Sequence, residues 1–206
     1  MPDPVILALD TALARCSVAI LRGEHVLAHL SEAMARGHAE RLAPMVQEAL
    51  ALAGIEPQGI ERIAVTTGPG SFTGLRVGLA FARGLSLALA RPCLGFSTLE
   101  ALALGQGSDG RRAAALPAPE GVYFALYEEG AAVQPPARLA EVEAQRLLAQ
   151  ARIYGPAALR FAGFAQAHPL EAPDAAALAR LAMAADAAAH PPRPLYLREA
   201  YARPVT

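Results

Sequence analysis

The chain has 206 residues, 54% hydrophobic and 18% charged, with a formal net charge of −1. That supplies a core for one domain or two small ones, and too little positive charge to hold nucleic acid unaided. Every one of its 18 basic residues is Arg, so there is no Schiff-base lysine and no phosphate-loop lysine. Cys16 and Cys93 stand far apart without C-x-x-C spacing, which excludes a cysteine zinc cluster and predicts two small buried thiols. The N-terminal MPDPVILALD lacks a basic region and meets Asp10 early, unlike a signal peptide. No run of 18 apolar residues is free of charge, so the expectation is a cytoplasmic protein with no membrane span.

In chain order, residues 5–10, 16–21 and 26–31 are short apolar runs, the last two separated by an Arg22-Gly23-Glu24 turn. They predict three strands in an antiparallel meander. From 38 to 54, Leu42, Met45, Val46, Ala49, Leu50 and Ala53 form the apolar stripe of a helix that stops at Gly54, with Pro44 expected in its first turn. Then come a strand at 60–67, a glycine-rich turn, a helix at 75–90, a strand at 93–97 and a short helix at 99–104. The order β-β-β-α-β-α-β departs from Rossmann alternation. It resembles the ribonuclease H-like core, the half-unit of the actin, sugar-kinase and heat-shock ATPase fold.

The turn-rich GQGSDGRR after residue 104 marks a boundary, with 1–104 as one lobe and 105–206 as a smaller second lobe with an extended tail. In the second part, 112–116 and 122–127 predict a hairpin and 141–152 a helix. Residues 175–189 predict a helix capped by Asp174, while 153–173 carries no firm signal.

The turn between the 60–67 strand and the next helix reads T67-G68-P69-G70-S71-F72-T73-G74. Leu75 follows Gly74, which fails the P-loop pattern, and Gly74 falls one place late for G-x-G-x-x-G. The bland reading is a tight turn with Ser71 or Thr73 capping the helix. Within that helix Gly74, Gly78, Ala82 and Ser86 recur every four residues, with Gly84 nearby. A mid-helix Gly costs roughly 1 kcal/mol against Ala, so a closely packed neighbour is expected, from this chain or from another protein.

PGSFTGLRVG at 69–78, preceded by ILALDTA at 6–12 and followed by PLYLR at 194–198, is similar to the TsaB (YeaZ) family, most specifically over 5–100. The resemblance implies an α/β, actin-like ATPase (ASKHA) fold with two lobes of mixed sheets flanked by helices. It implies a non-catalytic scaffold, without a cofactor of its own, that binds and activates the catalytic threonylcarbamoyl transferase TsaD. The product is N6-threonylcarbamoyladenosine at position 37 of tRNA. The ATPase TsaE joins the assembly, tRNA is reached only through the complex, and the chain self-pairs when alone.

The resemblance also implies an interface on the helices 38–53 and 74–89, formed by His38, Arg41, Leu42, Met45, Val46, Ala49, Gly74, Leu75, Gly78, Leu79, Ala82 and Ser86. Arg36, Arg76 and Arg83 stand at its rim. A bulky side chain at Gly78 is then expected to disturb pairing without unfolding the chain. The signature turn comprises Pro69, Gly70, Ser71, Phe72, Thr73, Gly74 and Arg76. One departure stands at 117–123, PAPEGVY, where many members carry an Asp-Ala-Arg run.

The parts of an enzyme are sparse. The catalytic paralogue places a His-x-x-x-His pair on the helix matching 38–54; here His38 is followed four places on by Leu42, which is no chelate. His25 and His29 share that spacing but fall in a predicted strand, ~13 Å apart at ~3.3 Å rise per residue. Asp10 and Thr11 match the phosphate turn of an actin-like fold, yet Ala12-Leu13-Ala14-Arg15 has no Gly, so they read as a turn cap or a relic. Cys16 has no neighbouring His and no G-x-S-x-G is present. The rivals to a scaffold are a small ATP-dependent kinase or ATPase of the same fold, and a metallopeptidase relative.

Overall fold

A computed structural model describes residues 3–197. Its first sheet holds β1 (Val5–Asp10), β2 (Arg15–Arg22), β3 (His25–Ala33), β4 (Arg62–Thr66) and β5 (Cys93–Phe96), in the order β3-β2-β1-β4-β5. The first three strands are antiparallel, and β4 and β5 run parallel to β1. This is the expected meander followed by helix-linked strands. β1 is apolar from Val5 to Leu9 because both its faces are covered. Leu7 and Leu9 face one core with α1 (His38–Ala53) and α2 (Phe72–Leu89), while Ile6 and Ala8 face the other with α5 (Ala175–Ala184).

The second sheet repeats the pattern. β6 (Arg111–Pro117), β7 (Val122–Glu128) and β8 (Ala131–Leu139) form an antiparallel meander, with β9 (Arg152–Tyr154) and β10 (Gln166–His168) added in parallel. The order is β10-β9-β6-β7-β8. α3 (Thr98–Leu104) covers one face and α4 (Glu141–Leu147) the other.

The structure departs from the sequence expectations in several places. α5 does not stay with the second sheet; Ala175, Leu178, Ala179 and Ala182 pack on Ile6, Ala8, Ala19 and Ala64 of the first. Small side chains on both surfaces let the helix lie close. α3 makes the opposite exchange, packing on β6 and β7. β8 escapes the strand pattern because it contains Pro135 and Pro136, which only an edge strand tolerates. Pro44 is the seventh residue of α1 rather than part of its first turn. It is exposed, so the hydrogen bond it removes is lost on the side open to water. By length and hydropathy alone α2 would cross a bilayer. In the fold Leu75, Gly78, Leu79 and Ala82 are buried on it instead, and Arg76 and Arg83 face outward.

Candidate functional site

The glycine-rich turn joins β4 to α2, and its geometry is that of a clasp. Ser71 is the N-cap, its Oγ accepting from the Gly74 N–H at 3.2 Å; Thr73 takes no part in the cap. The turn rests on the hairpin that follows β1. Ser71 N donates to the Ala12 carbonyl at 2.7 Å, and Thr11 Oγ1 donates to the Gly74 carbonyl at 2.7 Å. A Cβ at Gly70 would strike the Ala12 carbonyl, one at Gly74 the Thr11 carbonyl, and one at Gly78 the Thr11 hydroxyl. The small-residue stripe therefore has its neighbour inside the chain, and that neighbour is the end of β1 rather than a helix. A bulky side chain at Gly78 would disrupt the fold itself, contrary to the sequence expectation.

Asp10 completes the clasp. Its Oδ1 accepts from Ala12 N at 3.1 Å and from Thr66 Oγ1 at 2.5 Å. Burial pushes its carboxyl up to about 6, an effect that these two hydrogen bonds oppose. Asp10 thus caps the turn at Ala12. Three backbone N–H groups of the clasp have partners within the chain. Here Ala12 N is held by Asp10, Ser71 N by Ala12, and Gly74 N by Ser71. What the clasp achieves is placement: it fixes the start of α2 against the end of β1.

The tail reinforces it. Leu195 N donates to the Thr67 carbonyl and Gly95 N to the His190 carbonyl, both at 2.8 Å. Gly68 sits at φ +112, a conformation that favours glycine, and its missing Cβ makes room for the Leu195 carbonyl. Between the sheets lies a cleft of about 630 Å³, lined by Leu13, Phe72, Leu116, Pro117, Tyr123 and Tyr196 among others, none of them charged. Pro117 and Pro119 reach it from the segment where many relatives carry the Asp-Ala-Arg run. Of the PLYLR segment, Arg198 lies outside the described residues.

The helical face needs correction. Leu42, Met45, Val46 and Ala49 of α1, with Leu75, Leu79 and Ala82 of α2, are buried in the chain itself. His38 is buried, and its Nε2 donates to the Arg15 carbonyl at 3.1 Å. Arg41 is held bidentately by Glu32 and again by Glu48. Ser86 Oγ donates to the Arg91 carbonyl. The reason is physical: an amphipathic helix has one apolar stripe, and the chain's own sheet claims it.

What α1 and α2 turn outward is a second face that the stripe does not reveal. α1 exposes Ala43, Gln47, Ala51 and Leu52; α2 exposes Ala80, Arg83, Gly84 and Leu87. Leu52 is 68% and Leu87 85% exposed. A Cβ at Gly84 would meet nothing within 4 Å. The one sequence signal for this face is Gly84 itself, which falls outside the four-residue register of Gly74, Gly78, Ala82 and Ser86. At the head of α2, exposed Thr73 and Arg76 flank the turn, and the Arg76 guanidinium lies 3.7 Å over the Phe72 ring. Phe72 is 6.0 Å from Tyr196.

Among the described residues no group of three His, Cys, Asp or Glu side chains is placed to hold a metal ion. His25 and His29 lie on β3 as expected, and His29 faces Asp174 at 3.8 Å. Burial pushes the Cys16 thiol up to about 11, away from the thiolate a nucleophile needs.

Residues 26–124 match the family model described as TsaD: tRNA N6-adenosine threonylcarbamoyltransferase. The chain is 42% identical over 127 residues to the tRNA threonylcarbamoyladenosine biosynthesis protein TsaB of Escherichia coli, covering 60% of this chain and 54% of that one. It is 36% identical over 125 residues to the Bacillus subtilis protein of the same name, covering 60% and 55%. The chain thus spans about half the length of these curated relatives. Among solved structures, YeaZ from Pseudomonas aeruginosa superposes with a TM-score of 0.69 at 30% identity, over 94% of this chain and all of that one. A Pseudomonas aeruginosa protein with similarity to peptidase YeaZ superposes at 0.76 with 29% identity, over 95% and 100%.

Proposed function

Because this chain belongs to the TsaB (YeaZ) family, we propose that it is the non-catalytic scaffold of a tRNA-modifying assembly. It docks on the threonylcarbamoyl transferase TsaD and stabilises that subunit's active state, which requires higher affinity for that state than for the inactive one. The assembly, a cytoplasmic one, forms N6-threonylcarbamoyladenosine at position 37 of tRNA. TsaE joins them in a ternary complex, and tRNA is reached only through the complex, which the net charge of −1 supports.

The docking surface is the outer face of α1 and α2. One observation carries the proposal. Gly84 costs α2 roughly 1 kcal/mol and no group among the described residues uses the space it leaves, while Leu87 beside it is 85% exposed. A partner helix lying against Gly84 and covering Leu87 offsets both costs.

Size-exclusion chromatography with light scattering, on the chain alone and mixed with TsaD from the same organism, tests this. The expected result is a 1:1 species that replaces any self-dimer. Unchanged profiles at micromolar concentrations, with both proteins folded, would refute the docking.

A further inference from the structure

α2 carries no acidic residue along its 18 positions, yet it bears Arg76 and Arg83. Both are exposed, and among the described residues neither makes an ion pair, as is also true of Arg22, Arg36, Arg62, Arg91, Arg138, Arg146 and Arg193. Their seven-residue separation places them on one side of the helix, about 10.5 Å apart along its axis. Arg76 is also pre-positioned. Its guanidinium lies 3.7 Å over the ring of Phe72, itself 56% exposed. Such stacking fixes the plane of the guanidinium and leaves its N–H edges free for a bidentate acceptor. Ala80 lies between the two arginines, with Gly84 and Leu87 just beyond Arg83. The surface is an apolar strip flanked by two cations that no acidic group among the described residues matches.

We infer that Arg76 and Arg83 form a paired carboxylate receptor on the docking face, selecting a partner helix that carries two acidic side chains about two turns apart. This rests on the docking proposed above and adds the chemistry of the partner surface. Charge complementarity of this kind steers association and rejects partners with cations at those places. A protein helix is favoured over RNA as the source of the anions. The groove between the arginines is apolar, and two cations on a chain of net charge −1 supply little of the phosphate neutralisation that RNA affinity needs.

The test is the affinity of the full chain for TsaD from the same organism, by titration calorimetry, between about 50 and about 300 mM NaCl, where the screening length falls severalfold. The wild-type affinity is expected to fall by about tenfold across that range. The double variant Arg76→Gln/Arg83→Gln should bind about tenfold more weakly at low salt and lose most of the salt dependence. Arg76→Lys, which keeps the charge but not the stacked plane, should fall between. Neither arginine is buried, and among the described residues neither makes a hydrogen bond, so circular dichroism should show the wild-type fold in each variant. Binding that is tight but indifferent to salt and to both substitutions would overturn the receptor while leaving the docking intact. No binding at any salt would remove the docking itself. If the double variant instead lost affinity for tRNA alone and bound TsaD normally, the anion would be phosphate and the inference would be wrong.

Discussion

Replacing Gly74 by Ala tests the clasp directly. The added Cβ would overlap the Thr11 carbonyl, a backbone atom at the end of β1 that cannot swing aside as a side chain can. Overpacking of this kind costs about 1–3 kcal/mol. Moving the helix away also strains the Thr11 Oγ1 donation to the Gly74 carbonyl, a buried bond worth about 1 kcal/mol. Against this, Ala gains up to about 1 kcal/mol of helix propensity over Gly. The net expectation is a loss of about 1–3 kcal/mol, or roughly 3–10 °C in Tm for a chain of this size. The control is Gly84→Ala on the same helix. It adds the same methyl group where nothing lies within 4 Å, and should be neutral or stabilising by up to about 1 kcal/mol. Guanidinium and thermal melts followed by circular dichroism measure both. If Gly74→Ala were as stable as wild type, the reasoning that these glycines admit the hairpin turn would fail.

Two further predictions follow from the same geometry. Gly84→Leu should leave the melting curve near that of wild type and abolish the 1:1 species with TsaD, because the new side chain stands on the outer face; intact pairing would place the interface elsewhere. The Asp10 carboxyl is raised from its ordinary 3.8 to about 6, so the folded state binds its proton more tightly than the unfolded chain does. Wild-type stability should therefore decline as pH rises from about 4 through 6. Asp10→Asn keeps an acceptor for Ala12 and Thr66 and lacks that slope, so its stability relative to wild type should improve by up to about 3 kcal/mol between about pH 4 and pH 8. Parallel pH profiles from denaturant melts of the two proteins would show that Asp10 is not desolvated as described.

The strands and helices of the first sheet were legible in sequence because each keeps a clean local period. β1 reads as a continuous apolar run since helices cover both its faces, and α1 shows a single stripe since one sheet claims it. The motif 69–78 was legible as well, because the close approach of Thr11 and Ala12 demands glycine at three fixed places. Less was legible after residue 128. β9 and β10 have three residues each, too few for a period, and β8 hides behind Pro135 and Pro136.

Sequence by itself determined the meander, the two long helices and the small-residue stripe, and narrowed the cap to Ser71 or Thr73, since each depends on residues near one another in the chain. Only the tertiary structure decided which surface that stripe meets. It turned His38, Leu42, Met45, Gly74 and Gly78 inward, spent Arg41 on Glu32 and Glu48, and left Gly84, Leu87, Arg76 and Arg83 facing out. A helix's periodicity marks the stripe that will be buried. What buries it depends on residues more than 60 positions away, such as Thr11 against Gly74, and no local pattern records that distance.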